Sequence, residues 1–317
     1  MRRDQTTFRN AARLTFAATA LSLFTLPCFA GTKTIFAPGV TADKGWYDVN
    51  KKSTANTSQL DFVACGAAAA SNMLQYWQDG YTAAGNVLPN GTPNGIGSKE
   101  YAQGLGHYEL AIFEEYLDNW GTEGTDPQLT IQWYFTGEGH NVSGYAQPKP
   151  GTGGFFADEY TNIQSVCGTN LVSNVQKFDD NGGWGSAGSS SAALSILSKH
   201  IISVLERGVG SIVIHAGFLH SITLWGAELD ANNRLTAVYV TDSDDAQKAR
   251  SASGIRKYTV SPGDKAGSVQ LVDTVYGNVE ITQLFGLTAY PIPEPSAFGL
   301  LAGLFALVFG VSRRRRK

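Results

Sequence analysis

Three residues whose types together support nucleophilic catalysis lie far apart in the chain: Cys65, His220 and Asp242. Cys65 opens an alanine-rich stretch that predicts a helix, and the N-terminus of a helix favours a thiolate over a thiol. His220 starts an apolar run typical of a strand, which would hold an imidazole base rigidly. Asp242 follows a second such run and could orient that imidazole. A buried structural cysteine at position 65 is the alternative interpretation.

A second carboxylate, Asp244, follows Asp242 at a spacing of two. If the preceding strand continues to position 244, its two-residue period places both carboxylates on one side. An acidic turn or a weak calcium loop is the alternative, although the further oxygens of an EF-hand are missing here. A helix-borne cysteine, a strand-borne histidine 155 residues later and a following carboxylate form the papain-like order.

The second cysteine of the central part of the chain, Cys167, has no comparable helix start and is expected to be structural or idle. In an oxidising compartment it could instead pair with Cys65. His200 is expected on a helix face, and His107 and His140 lie near polar or glycine-rich segments without further indication of a role. These residues therefore do not suggest a second catalytic site beside Cys65, His220 and Asp242.

Composition excludes several other classes of protein. The chain is 43% hydrophobic and 16% charged with a pI near 6.0, which argues against a disordered chain and against a basic nucleic-acid binder. No pair of histidines at i, i+4 and no Cys-x-x-Cys is present, so zinc is not expected. No phosphate-binding glycine motif stands between a strand and a helix either. We expect no cofactor and no metal.

The elements that must position these residues follow from apolar periodicity. Helices are predicted for 65 to about 80, 108–120 and 194–207, and strands for 211–215, 220–229, 234–241, 255–260 and 277–288. Helices come first and an antiparallel sheet second. That order indicates an α+β fold with two lobes, in which an N-terminal helical part carries the nucleophile.

Both ends of the chain are interpreted as targeting segments. Residues 1–30 combine four arginines, an apolar run and a small-residue cleavage site, which predicts a signal peptide. Residues 293–317 combine Pro-Glu-Pro, an apolar run and a terminal basic cluster, and this order resembles the PEP-CTERM sorting signal. Net charges of +3 and +4 for these ends leave −10 for residues 31–292, out of a total of −3. The central domain is therefore acidic.

Two blocks of sequence carry a more specific resemblance. The first runs through Gly45-Trp46-Tyr47-Asp48, Lys51, Cys65-Gly66-Ala67-Ala68 and Asn72-Met73-Leu74, and the second through His220–Ala227 and Tyr239–Asp244. In residues, order and approximate spacing they resemble the IdeS/Mac family of immunoglobulin-degrading cysteine endopeptidases. The resemblance covers roughly residues 35–288 and is weak between 80 and 190.

The resemblance implies a papain-like fold and assigns five residues. Cys65 would be the nucleophile, His220 the base, Asp242 the orienting carboxylate and Asp244 a second supporting acid. Lys51 would help to stabilise the oxyanion, whereas without the resemblance it would be interpreted as a solvated surface lysine.

Two further residues have smaller expected roles. His215 would have a structural role or would support the site from outside it. Trp225 would either shield the contact between histidine and aspartate from water or be a core aromatic.

The resulting hypothesis is an exported cysteine endopeptidase that hydrolyses peptide bonds in a protein or peptide substrate. The Sec machinery and an exosortase-type transpeptidase of a Gram-negative bacterium would be its targeting partners, and only the sorting helix would enter a membrane. The chain would end at the cell surface or in the extracellular matrix. The alternative is a non-catalytic surface or matrix-binding protein on the same scaffold. Immunoglobulin is not expected as the substrate, because residues 80–190 diverge.

Overall fold

A computed structural model describes residues 32–51, 63–97, 110–120, 125–138, 147–180, 182–244 and 254–292. The two segments predicted to be targeting signals, 1–30 and 293–317, lie outside these residues, as do His107 and His140. None of the helices in the described ranges has the length and apolar character needed to span a bilayer.

The described chain combines five helices with eight strands. The helices are α1 (Cys65–Ala83), α2 (Ala111–Trp120), α3 (Pro127–Thr136), α4 (Tyr160–Cys167) and α5 (Ser190–Arg207). The strands are β1 (Lys33–Phe36), β2 (Val172–Gln176), β3 (Gly208–His215), β4 (Leu219–Leu229), β5 (Leu235–Thr241), β6 (Arg256–Pro262), β7 (Val269–Thr274) and β8 (Gly277–Thr288). The expected mixture of helices with an antiparallel sheet is confirmed.

Six of the strands close on themselves. The order β4-β3-β8-β7-β6-β5 is antiparallel throughout, and β5 pairs back onto β4, so that these strands form a closed barrel. Closure requires a shift of register between Leu224 and Gly226 of β4. β1 adds to β4 and β2 adds to β8 on the outside of the ring. The predicted antiparallel sheet is therefore closed into a barrel, which the strand patterns in the sequence did not indicate.

Helix α1 is buried on most of its surface. It packs on β4, α2 and α3, and Ala67–Ala70 let these neighbours approach closely because their side chains are small. The helix runs beyond Gly80, its expected end. Gly80 instead packs on Tyr290, where an added Cβ would lie 3.3 Å from the carbonyl oxygen.

Several elements were not expected from the periodicity: α3, α4, β1, β2 and β7. Helix α3 is apolar on nearly all sides and so lacks a helical period, but its end residues follow known preferences. The Asp126 carboxylate accepts from the Leu129 N–H at 2.7 Å, Pro127 opens the helix, and Gly137 closes it at φ 73°.

Candidate active site

Cys65 is the first residue of α1, and its side chain is half-buried. The N-cap residue, Ala64, makes no side-chain hydrogen bond to the first turn, and this end of a helix favours negative charge. The next residue, Gly66, lies against the chain before α3: an added Cβ would be 1.9 Å from the Thr125 carbonyl oxygen. Glycine at position 66 is therefore what allows the cysteine-bearing helix end to pack so closely.

His220 and Asp242 lie side by side in the interior. His220 is the second residue of β4, opposite Ile214 of β3, and Asp242 directly follows β5. The ring Nε2 is 2.7 Å from Asp242 Oδ1, and neither side chain is more than 1% exposed. The antiparallel pairing of β4 with β5 brings together two residues that are 22 positions apart in sequence.

The two carboxylates meet the histidine through a turn and not along a strand. β5 ends at Thr241, and the Asp244 N–H then donates to Asp242 Oδ1 at 2.9 Å. Asp244 Oδ2 lies 3.8 Å from His220 Nδ1. Of the two interpretations left open, the structure shows the acidic turn and not a strand reaching Asp244, because the Asp242 carboxylate accepts from the backbone that follows and the chain bends there.

Lys51 is buried, which overturns its interpretation as a solvated surface lysine. Its residue is only 4% exposed, and its backbone N–H donates to the Ser243 carbonyl at 2.8 Å. Its ammonium nitrogen is 3.1 Å from Asp244 Oδ1. A cation in this position compensates part of the negative charge of the two aspartates.

These charges shift the pKa of the Cys65 thiol. Burial by itself would raise that pKa, but the proximity and charge of His220, the charge of Lys51 and the Ser221 backbone N–H outweigh burial. Together these effects lower the pKa of Cys65 to about 7. A substantial fraction of the thiol is then ionised at neutral pH.

The pKa of His220 moves in the opposite direction. Burial favours the neutral ring, yet the charge and hydrogen bond of Asp242, followed by the interaction with Cys65, raise the pKa of His220 well above its usual value. The pKa of Asp242 is lowered in spite of burial, chiefly by the charge and hydrogen bond of His220. Both shifts favour a thiolate at Cys65 beside an imidazolium at His220.

Asn72 connects the three segments that bear the site. Its side-chain oxygen accepts from the Val49 N–H at 3.1 Å, and its amide nitrogen donates to Thr223 Oγ1 at 3.0 Å. It thereby ties α1 to β4 and to the segment that carries Lys51. This buried amide positions the site without touching its reacting groups.

Tyr276, in the turn between β7 and β8, was not singled out from the sequence. Its hydroxyl donates to Asp242 Oδ1 at 3.4 Å, and its ring centroid lies 5.3 Å from that of His220. Burial, followed by the charges of Asp242 and Asp244, raises the pKa of Tyr276, so the hydroxyl stays a donor. No sequence motif surrounds this tyrosine. The pairing of β7 with β8 brings its turn to the site, and that pairing could not be seen in the sequence.

Trp225 is a core aromatic. It is fully buried in β4 and its Nε1 donates to Thr241 Oγ1 at 2.9 Å. It thereby fixes the end of β5, one residue before Asp242. The aromatic side chains found against the histidine ring are those of Tyr276 and Phe218.

The remaining candidates are Cys167, His215 and His200. Cys167 is free and lines a cavity of about 710 Å³ beside the second half of α1. Burial raises the pKa of Cys167 to about 11. His215 is exposed at the end of β3, and His200 contacts the Gly182 carbonyl at 3.3 Å. The structure contains no Cys65–Cys167 disulfide: Cys65 begins α1, and Cys167 lines the cavity beside the second half of that helix.

Within the described ranges, no three His, Cys, Asp or Glu side chains converge as a metal site would require. The charged side chains of the cluster instead pair with one another, Lys51 with Asp244 and His220 with Asp242.

Comparison with known proteins gives two matches. A family model described as Mac 1 matches residues 30–87 and 191–281, segments that contain Lys51, Cys65, His220, Asp242 and Asp244. A protein of Streptococcus suis named IgM protease is 26% identical over 225 residues, which is 65% of this chain but only 18% of that protein. The chain thus spans less than a fifth of this relative's length. It is similar to the Mac 1 family in the two segments that build the cluster.

Proposed function

We propose that this protein is a cysteine endopeptidase in which Cys65 is the nucleophile, His220 the general acid and base, and Asp242 the orienting carboxylate. The observation that carries the proposal is the half-buried thiol at the start of α1, whose pKa is lowered by an imidazole held 2.7 Å from a buried carboxylate. Such a thiol is poised as a nucleophile at neutral pH.

The proposed reaction uses each of the charged groups. The Cys65 thiolate attacks a peptide carbonyl carbon, and the protonated His220 gives its proton to the departing amine. The resulting thioester is hydrolysed by water, from which His220 takes a proton, and Cys65 is regenerated. The first-turn N–H groups of α1 and the positive charge of Lys51 stabilise the oxyanion, while Asp244 holds Lys51.

A papain-like arrangement is part of this proposal. A nucleophile at the start of a buried helix, a base on a strand, and an Nε2-bound carboxylate after the next strand support it. The closed ring of strands, β3 to β8, is the half that carries the base.

The export route is proposed on sequence grounds. Residues 1–30 would direct Sec-dependent export, 31–292 would be the mature peptidase domain, and 293–317 would be a PEP-CTERM segment processed by an exosortase-type transpeptidase. This route places the protein at the surface or in the matrix of a Gram-negative bacterium. The substrate is a protein or peptide. Immunoglobulin is not proposed, because residues 88–190 fall outside the matched segments.

Two matched cysteine variants test the proposed activity. The purified full chain is incubated under reducing conditions with a proteome-derived peptide mixture, and cleavage products are quantified by mass spectrometry. Cys65→Ala is expected to lose at least about 10⁴-fold in activity, since the nucleophile is gone. Cys167→Ala, which removes a distant free thiol, should retain wild-type activity.

Equal activity of Cys65→Ala and the wild type would sink the proposal. A wild-type protein that cleaves nothing would also count against it and would favour the binding-protein alternative.

A further inference from the structure

The turn between β3 and β4 exposes two large apolar side chains next to His220. Phe218 is 47% exposed and Leu219 is 57% exposed. The turn is tight: Gly217 has φ 82°, and the Ala216 N–H donates to the Phe218 carbonyl at 2.9 Å. The backbone therefore holds these side chains in place at the edge of the site.

The two side chains point in different directions. Leu219 and His220 are successive residues of β4 and face opposite sides of the strand. Phe218 lies in the turn before β4, and its ring contact places it on the side of His220. The Phe218 ring centroid lies 6.0 Å from that of His220 and 6.2 Å from that of Tyr276, edge to face in both cases. Phe218 thus forms the solvent-facing end of a cluster of three rings.

The direction of proton transfer says which part of a substrate passes this cluster. The imidazolium delivers its proton to the leaving amine, so the polypeptide on the leaving-group side must lie over the His220 side of Cys65. Its first side chain after the scissile bond then comes beside the rings that flank His220. An exposed aromatic face favours contact with an apolar side chain.

We propose that Phe218 forms the wall of the subsite for the substrate residue that follows the scissile bond, and that it selects large apolar side chains there. This inference rests on the proposed peptidase activity and adds a substrate preference to it. Phe218 acts by contact with the substrate and not by tuning the charges of the site. The preference for large apolar residues should therefore be visible in the sequences of the cleaved peptides.

New N-termini measure this preference directly. A proteome-derived peptide library with blocked amino groups is digested by the purified full chain, and each new N-terminus reports the residue after the scissile bond. The wild type should enrich Phe, Leu, Ile and Met over Gly at that position. Phe218→Ala should lower this enrichment about tenfold, as expected for deletion of an apolar subsite contact.

Leu219→Ala is the matched control, since it truncates an equally exposed neighbour on the opposite side. It should keep the wild-type enrichment. Phe218→Leu, which retains an apolar wall, should restore much of it. A loss of orientation at His220 would lower the rate for all sequences alike and would leave the enrichment ratio unchanged.

The outcomes distinguish the subsite proposal from the peptidase proposal on which it rests. Cleavage by the wild type with enrichment that disappears in Phe218→Ala supports the subsite. Cleavage with the same residue preference in wild type and Phe218→Ala overturns the subsite while the peptidase stands. Absence of Cys65-dependent cleavage by the wild type overturns the peptidase and the subsite together.

Discussion

Cys65 and Cys167 are both free, half-buried thiols at helix ends, but their surroundings drive their pKa values apart. Cys65 is the first residue of α1, where the helix dipole favours negative charge, and Cys167 is the last residue of α4, where the dipole opposes it. Burial disfavours both thiolates. The pKa of Cys65 is nevertheless lowered to about 7, whereas that of Cys167 is raised to about 11.

The difference lies in the compensating charges. His220, Lys51 and a backbone N–H act on Cys65, whereas Trp77 is the polar neighbour that partly offsets burial at Cys167. A thiol in a protein is thus made reactive by the cations and donors around it, since burial disfavours the thiolate at both sites. Substitution of the charged residues around Cys65 should change this difference in pKa between the two thiols.

The largest expected change comes from removing the carboxylate behind His220. Asp242→Ala leaves the imidazole without its 2.7 Å partner, so the ring loses both its orientation and its positive charge. We expect kcat/KM for peptide cleavage to fall about 10³-fold. Asp242→Asn, which keeps an acceptor oxygen but no charge, should lose less.

Steady-state kinetics on one cleaved peptide checks this order of variants. Circular dichroism serves as the control for folding. Near-wild-type kcat/KM in Asp242→Ala would show that the carboxylate does not serve the reaction.

Iodoacetamide labelling compares the two cysteines directly. At pH 7 about half of Cys65 is thiolate, while the pKa of about 11 leaves about one part in 10⁴ of Cys167 ionised. The weaker intrinsic nucleophilicity of the less basic thiolate offsets part of this advantage. Cys65 should therefore react on the order of 10² times faster.

Raising the pH should shrink this ratio. The Cys65 rate levels off above its pKa of about 7, while the Cys167 rate keeps increasing towards a pKa of about 11. Peptide mapping of the labelled sites measures both rates in one sample. Equal rates at pH 7 would contradict the assigned surroundings.

A smaller effect is expected from Lys51→Met. The buried ammonium lowers the pKa of Cys65, so its removal should shift the Cys65 labelling profile to higher pH and slow labelling at pH 7 about threefold to tenfold. Lys44→Met, at an exposed lysine of the same segment, is the matched control. Cys167 labelling should not change in either variant, which gives an internal reference.

An unchanged Cys65 profile in Lys51→Met would mean that the lysine serves only to neutralise Asp244. Lys51→Arg, which retains the positive charge, should stay closer to the wild type than Lys51→Met does.

Local patterns indicated much of the fold. The alanine-rich run after Cys65 and the apolar runs at β3, β4, β5 and β8 carry their own periodicity, so their types were predictable and their bounds nearly so. Helix α3 shows why other elements were not. Its apolar residues surround the helix because it is enclosed by other elements, and periodicity then gives no information.

The sequence by itself determined the residue types and the local scaffolds: a cysteine at a helix start, a histidine on a strand, and two aspartates after the next strand. Only the tertiary structure decided that Lys51 is buried against Asp244, that a turn replaces a strand at the aspartates, and that Tyr276 reaches Asp242. These contacts join residues remote in sequence through strand pairing and ring closure. Their register depends on how the whole sheet packs, which no local pattern records.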